Sequence, residues 1–132
     1  MKCDSNYVET VLVVDKNLST IKHCLANIKY DLDLGYLVRV DFIAKGVDIG
    51  YAELSVFNDL LEIRWIEIYE MYRSKGYLYN IIKCLKRMGY TLFGEVVDED
   101  VIEIWKKVGA DFVTDWTFII NKEDDKYEGI EI

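Results

Sequence analysis

Four consecutive residues, Arg73, Ser74, Lys75 and Gly76, stand just before a run with the apolar spacing of a helix. The start of an α-helix carries unpaired backbone N–H groups and about half a positive charge, so its first turn ordinarily recruits Asp or Glu. Cations placed there repel the dipole unless an anion joins them, and a glycine among them lets the backbone approach that anion closely. The chemistry implied is a cradle for phosphate. The plainer alternative makes Ser74 an ordinary N-cap on a helix whose basic neighbours are solvated.

A second helix provides an internal contrast. Asp98, Glu99 and Asp100 crowd the first turn of a segment running to Val108, Lys106 and Lys107 occupy its last turn, and Gly109 follows. That arrangement matches charge to dipole in the usual sense, which makes the reversed pattern at Arg73 to Gly76 informative.

Two elements must position the cradle. Behind it, Leu78, Ile81, Ile82, Leu85 and Met88 fall on one face of a helix that Gly89 ends, with Lys86 and Arg87 in its last turn. Ahead of it, Leu61, Ile63 and Trp65 alternate with Glu62 and Arg64, and then Ile66 and Ile68 alternate with Glu67. The apolar parity slips between Trp65 and Ile66. Because strand side chains alternate between faces, a bulge at that point would keep both apolar sets on one side and leave backbone groups for an extended ligand. A strand buried on both faces would also accommodate this order.

Strand, bulge and Arg-x-x-Gly-x-Leu opening a helix bring in a family likeness. The run Ile68 to Leu78 resembles motif A of the GCN5-related N-acetyltransferase (GNAT) superfamily, which ends in Gln/Arg-x-x-Gly-x-Gly/Ala. Phe93-Gly94-Glu95-Val96-Val97 and the block from Ile104 to Phe112 look like the family's fifth strand, its fourth helix and the opening of its sixth strand. The likeness covers about Val47 to Ile120. The block Ile102 to Phe112 also resembles small acetyltransferase-like proteins of phage particles.

The resemblance implies an acyl-coenzyme A dependent N-acetyltransferase acting on a primary amine of a small molecule, peptide or protein. Carried over residue by residue, it makes Ile66, Glu67 and Ile68 the backbone rail for pantetheine. The diphosphate loop becomes Arg73, Ser74, Lys75, Gly76, Tyr77, Leu78 and Tyr79. Glu95 is the first choice for the base that deprotonates the amine, and Glu67 the second.

Three residues depart from the family pattern. Leu78 replaces the second small residue, to crowd the phosphates or, as its place on the apolar stripe favours, to pack on the sheet. Asp98 stands where an asparagine often touches the cofactor. Trp105 stands in place of the tyrosine that protonates the departing thiolate, and an indole N–H is no useful proton source. Tyr72, Tyr77 and Tyr79 are possible substitutes among which the sequence does not choose. These departures define the alternative: a degenerate member of the fold that serves as a binding or structural protein.

Composition limits the partners. With 132 residues the chain is long enough for one domain over 1–132 that buries about two-thirds of its unfolded surface. A net charge of −8 argues against nucleic acid and favours a cationic substrate. Cys3, Cys24 and Cys84 show no metal-ligand spacing and read as free thiols of a reducing compartment. No signal peptide or long apolar run is present, so the expectation is a soluble cytoplasmic protein without membrane association.

In chain order, a strand is expected over Tyr7 to Val14, then a helix from Leu18 capped by Asn17 or Ser19 and closed by Gly35. His23, off the apolar stripe, reads as a surface residue. Strands at Tyr36 to Phe42, Gly50 to Phe57 and Leu61 to Tyr69 follow on short turns at Lys45-Gly46 and Asn58-Asp59. A helix from Ser74 crosses to a parallel strand at Tyr90 to Val97, the helix after Asp98 follows, and Asp111 to Ile120 is one further strand. Tyr127 to Ile132 would pair with that strand. The fold class is α/β (α+β): a GNAT-like mixed, mostly antiparallel six- to seven-stranded sheet with helices on both faces and one helix, where the family usually has two, between the first strands. The family's habit of dimerising through its last strands makes a homodimer a further expectation.

Overall fold

The computed structural model describes residues 6–122, and its seven strands form one sheet in the order β1-β2-β3-β4-β5-β7-β6. They are β1 Tyr7–Val13, β2 Leu37–Ala44, β3 Val47–Phe57, β4 Leu60–Ile68, β5 Thr91–Glu95, β6 Asp111–Phe112 and β7 Thr117–Ile120. The helices are α1 Leu18–Asp33, α2 Tyr77–Lys86 and α3 Ile102–Lys107. The β1/β2 and β4/β5 ladders are parallel and the other four antiparallel, so the sheet is mixed and mostly antiparallel.

Each parallel ladder follows from one crossover helix. A single helix between β1 and β2 returns the chain to its starting end, so β2 runs beside β1 in the same direction, and α2 does the same between β4 and β5. Both crossovers step the same way along the sheet, and right-handed connections therefore place α1 and α2 on the same face. Asn17 caps α1 by accepting the Thr20 N–H at 2.9 Å. Leu25, Ile28 and Leu32 of α1, with Ile81, Ile82 and Leu85 of α2, join Val38, Val40, Phe42, Ala52, Leu54, Leu61, Ile63 and Leu92 in one buried cluster. Trp105 of α3 enters the same cluster by stacking on Phe118, with ring centroids 4.3 Å apart.

Where the sequence pattern set helices on both faces, this packing brings the buried residues of all three to one. The opposite face carries half-exposed polar and aromatic residues, among them Arg39, Asp41, Tyr51 and Glu67. One further correction concerns a strand. The segment 111–120 is two strands, because the Thr114 hydroxyl accepts the N–H groups of Trp116 and Thr117 at 3.2 and 2.9 Å and turns the chain. The strand expected at Tyr127 to Ile132 lies outside the described residues.

Candidate functional site

The bulge is present, one residue earlier than the apolar parity indicated. Trp65 pairs with Glu53 and Ile63 with Leu54, so Arg64 is the extra residue of β4. Ile66 thereby lies opposite Ala52, on the buried face with Ile63 and Leu61, as a bulge requires. Trp65 does not stay with them. It emerges on the open face, 47% exposed, and the Arg64 side chain is exposed beside it.

At the bulge the sheet divides. β4 and β5 pair from Leu60↔Thr91 to Ile63↔Gly94 and no further. Beyond that point β4 stays with β3 as far as Ile68↔Gly50. β5 leaves with β7, through Glu95↔Thr117 and the Val96 N–H donated to the Trp116 carbonyl at 2.8 Å. A slot opens between the two strands.

The β4 edge of the slot has a defined polarity. Tyr69 N–H donates to the Ile49 carbonyl at 2.9 Å, so by the two-residue alternation of an antiparallel ladder Glu67 and Trp65 also turn their backbone groups to β3. Ile66 and Ile68 therefore aim theirs into the slot. The Ile68 carbonyl confirms this direction by accepting the Arg73 Nε–H at 2.6 Å, from a residue beyond the strand end.

The far end of the slot is the start of α2. A 3-10 turn, Glu70–Tyr72, leads to Ser74 and Gly76, both left-handed at φ 64° and 83°. Gly76, and not Ser74, is the N-cap, and no side chain accepts a hydrogen bond from the first turn. No acidic residue lies in that turn. A Cβ at Gly76 would meet nothing within 4 Å, so its glycine is required by conformation and the space before it is open. Arg73, Ser74, Lys75, Gly76 and Tyr79 are exposed. Tyr77 and Leu78 are half-buried against the core, which places Leu78 in packing. The positive start of α2 is uncapped beside Arg73 and Lys75, an arrangement that could hold an anion, and the backbone of Ile66 and Ile68 faces the gap before it, with the Ile68 carbonyl engaged by Arg73.

The remaining candidates take different positions. Glu67 faces Tyr51 and Glu95 faces Thr117, and by register both lie on the open face, one on each lip of the slot. Tyr69 lies near Tyr51, with ring centroids 6.4 Å apart, and its phenol is pushed up first by burial and then by Asp48. The Asp98 side chain caps the next turn by accepting the Asp100 N–H at 2.9 Å. Trp105 is 7% exposed and committed to its stack on Phe118. The sequence reading missed three features: the Arg73 contact with Ile68, the outward Trp65, and the role of Gly50. Only the last left a signal, a glycine inside an alternating strand.

The fold described here is that of solved GNAT-family acetyltransferases. A putative GNAT acetyltransferase from Bacteroides thetaiotaomicron is similar over 87% of this chain and 76% of its own, with a TM-score of 0.57 and 16% identity. The PaiA N-acetyltransferase of Thermoplasma acidophilum, solved in complex with coenzyme A, is similar over 78% of this chain and 72% of its own, with a TM-score of 0.54 and 17% identity. The chain spans 60% of the nourseothricin acetyltransferase, to which it is 17% identical over 59% of its own length with a TM-score of 0.49. No family model and no curated protein matches the sequence.

Proposed function

We propose that the protein is an acyl-coenzyme A dependent N-acetyltransferase acting on a primary amine. The observation that carries this reading is the slot: β4 leaves β5 at Arg64 with the backbone of Ile66 and Ile68 turned into the gap and an uncapped, cation-flanked helix at its end. In this reading the backbone of Ile66 and Ile68 forms the rail for the pantetheine amides, Glu67 between them being withdrawn from it because its own backbone pairs with β3, and Arg73 to Tyr79 hold the diphosphate. These contacts are largely backbone, so the leucine at 78 is tolerated once its side chain packs inward.

Glu95, or Glu67 across the slot, takes a proton from the substrate ammonium. The free amine nitrogen attacks the thioester carbonyl carbon, the C–S bond breaks, and the thiolate leaves with the electron pair. An amide and coenzyme A are the products. With Trp105 held in the core, the thiolate takes its proton from solvent or a nearby tyrosine. A thiol with a pKa of about 8.5 is a fair leaving group unaided, and a positioned acid is worth about 100- to 10,000-fold, so the reading predicts a slow enzyme.

Calorimetric titration with acetyl-coenzyme A tests the slot, and thiol release with a panel of amines tests turnover. Glu95→Gln is expected to lower turnover without weakening acetyl-coenzyme A binding. Failure to bind at millimolar ligand would refute the proposal. Binding without turnover of any amine would assign the chain to the second reading, a coenzyme A binding protein on a degenerate catalytic frame, which the buried Trp105 favours.

A further inference from the structure

Two groups compete for the Ile68 carbonyl. The strand register turns it into the slot as one end of the proposed rail, yet the Arg73 Nε–H already holds it at 2.6 Å. A rail group that is occupied before any tail arrives can serve only if its occupant leaves.

Arg73 is free to leave by its side chain alone. Its backbone is fixed, because its N–H donates to the Glu70 carbonyl at 3.2 Å where the 3-10 turn ends. Its side chain is exposed, and among the described residues it has no carboxylate within ion-pair distance. The guanidinium therefore spends its charge on a neutral oxygen, although it stands just before the Gly76 N-cap, where the helix start is positive and holds no acidic residue. A diphosphate at that start offers the same guanidinium charged oxygens, in the bidentate geometry that suits it. Exchanging the carbonyl for a phosphate requires no change of backbone. The contact with Ile68 comes from Arg73 and not from Lys75, the other cation of the loop.

We infer that Arg73 is a latch on the rail. In the free chain it closes the Ile68 carbonyl, and a diphosphate at the start of α2 draws it away and opens that carbonyl to an amide N–H of the tail. This rests on the coenzyme A reading and adds to it a coupling between the two ends of the ligand. By linkage the coupling is reciprocal, so a tail seated on the rail favours the diphosphate by the same factor. A pantetheine thioester without the diphosphate meets a closed latch. Arg73 thereby makes the slot selective for thioesters that carry the nucleotide end.

The test is calorimetric titration of the full chain with S-acetylpantetheine, which has the tail and no diphosphate, without and with saturating inorganic pyrophosphate. Acetyl-coenzyme A is titrated separately. Pyrophosphate is expected to tighten acetylpantetheine binding to the wild type at least about fivefold, the lower end of ordinary coupling between sites. Arg73→Met is expected to bind acetylpantetheine at least about fivefold more tightly than the wild type does, with no further gain from pyrophosphate. Lys75→Met removes a cation from the loop but not the latch, so it should weaken pyrophosphate and keep the coupling. A purely structural role for Arg73 would weaken every ligand in Arg73→Met, and a simple phosphate contact would leave acetylpantetheine unchanged; either result overturns the latch. So does coupling that survives in Arg73→Met, or acetylpantetheine that binds neither chain. In each of these cases acetyl-coenzyme A binding to the wild type leaves the coenzyme A reading standing, and its absence removes the reading and the latch together.

Discussion

Gly50→Ala is the most direct probe of the slot from outside it. Gly50 lies opposite Ile68 in a pair whose backbone hydrogen bonds point outwards, the arrangement in which facing Cα atoms come closest. A Cβ at position 50 would lie 2.9 Å from the Ile68 Cα and 3.1 Å from the Glu67 carbonyl carbon, and closer still to the Glu67 carbonyl oxygen. Carbon atoms pack best at about 3.5–4.0 Å, and backbone has no rotamer by which to retreat, so β3 and β4 must separate by roughly 1 Å there. Overpacking of this kind costs about 1–3 kcal/mol. For a chain of this size that corresponds to a Tm lowered by roughly 3–12 °C. The displaced residues are the proposed rail, so acetyl-coenzyme A affinity should fall with stability. Gly46→Ala is the control: its left-handed φ of 76° imposes strain of about 1–2 kcal/mol, but its Cβ meets nothing and the site is remote in the hairpin turn. Thermal unfolding and calorimetry on both variants decide the matter. A Gly50→Ala protein with unchanged Tm would refute the packing argument, and one destabilised like Gly46→Ala but with unaltered ligand affinity would refute the placement of the rail.

Three more outcomes are expected. Trp105→Ala removes a buried indole stacked on Phe118 and should cost about 3–5 kcal/mol, read from urea unfolding; a loss below about 1 kcal/mol would mean that the stack is dispensable. The Asp33 carboxyl is held below its ordinary value of 3.8 by the hydrogen bond from Tyr90 and then by Lys29, so it contributes stability above pH 4 that is lost as pH falls through the depressed folded value. Asp33→Asn should accordingly flatten the acid limb of a Tm–pH profile, and an identical limb would exclude this group as its cause. The Cys84 thiol is buried and pushed up by desolvation, so native labelling with iodoacetamide should leave it unmodified until the chain unfolds, as peptide mass analysis would show.

The elements that could be read from the sequence were those whose signal is local. Asn17, the stripe Leu25, Ile28 and Leu32, and the Lys45-Gly46 turn with both residues at positive φ each carry their own conformational preference, and each forms as the pattern indicated. The site was legible to the extent that it is backbone: a charge-reversed helix start and a parity slip located the uncapped first turn of α2 and the bulge. Side-chain positions were less so, because they depend on register. Apolar alternation grouped Trp65 with Leu61 and Ile63, and only the pairing with Glu53 shows it facing outwards. The split of 111–120 depends on one threonine hydroxyl, which is a weak signal beside the apolar run Thr117–Ile120.

The extra residue at Arg64 has more consequences than its side chain suggests. Removing it would let the pairs Ile63↔Leu54 and Trp65↔Glu53 follow one another without interruption, so Ile66, Glu67 and Ile68 would keep the faces they have now. What would go is the bulge itself, with the bend and added twist it gives β4 where its pairing with β5 stops. An unbent β4 can carry its ladder with β5 past Ile63↔Gly94 and spend the backbone groups of Ile66 and Ile68 on the neighbouring strand. Deleting Arg64 is therefore expected to abolish acetyl-coenzyme A binding in a chain that retains its helices by circular dichroism. Retention of wild-type affinity would show that the slot does not depend on the bulge.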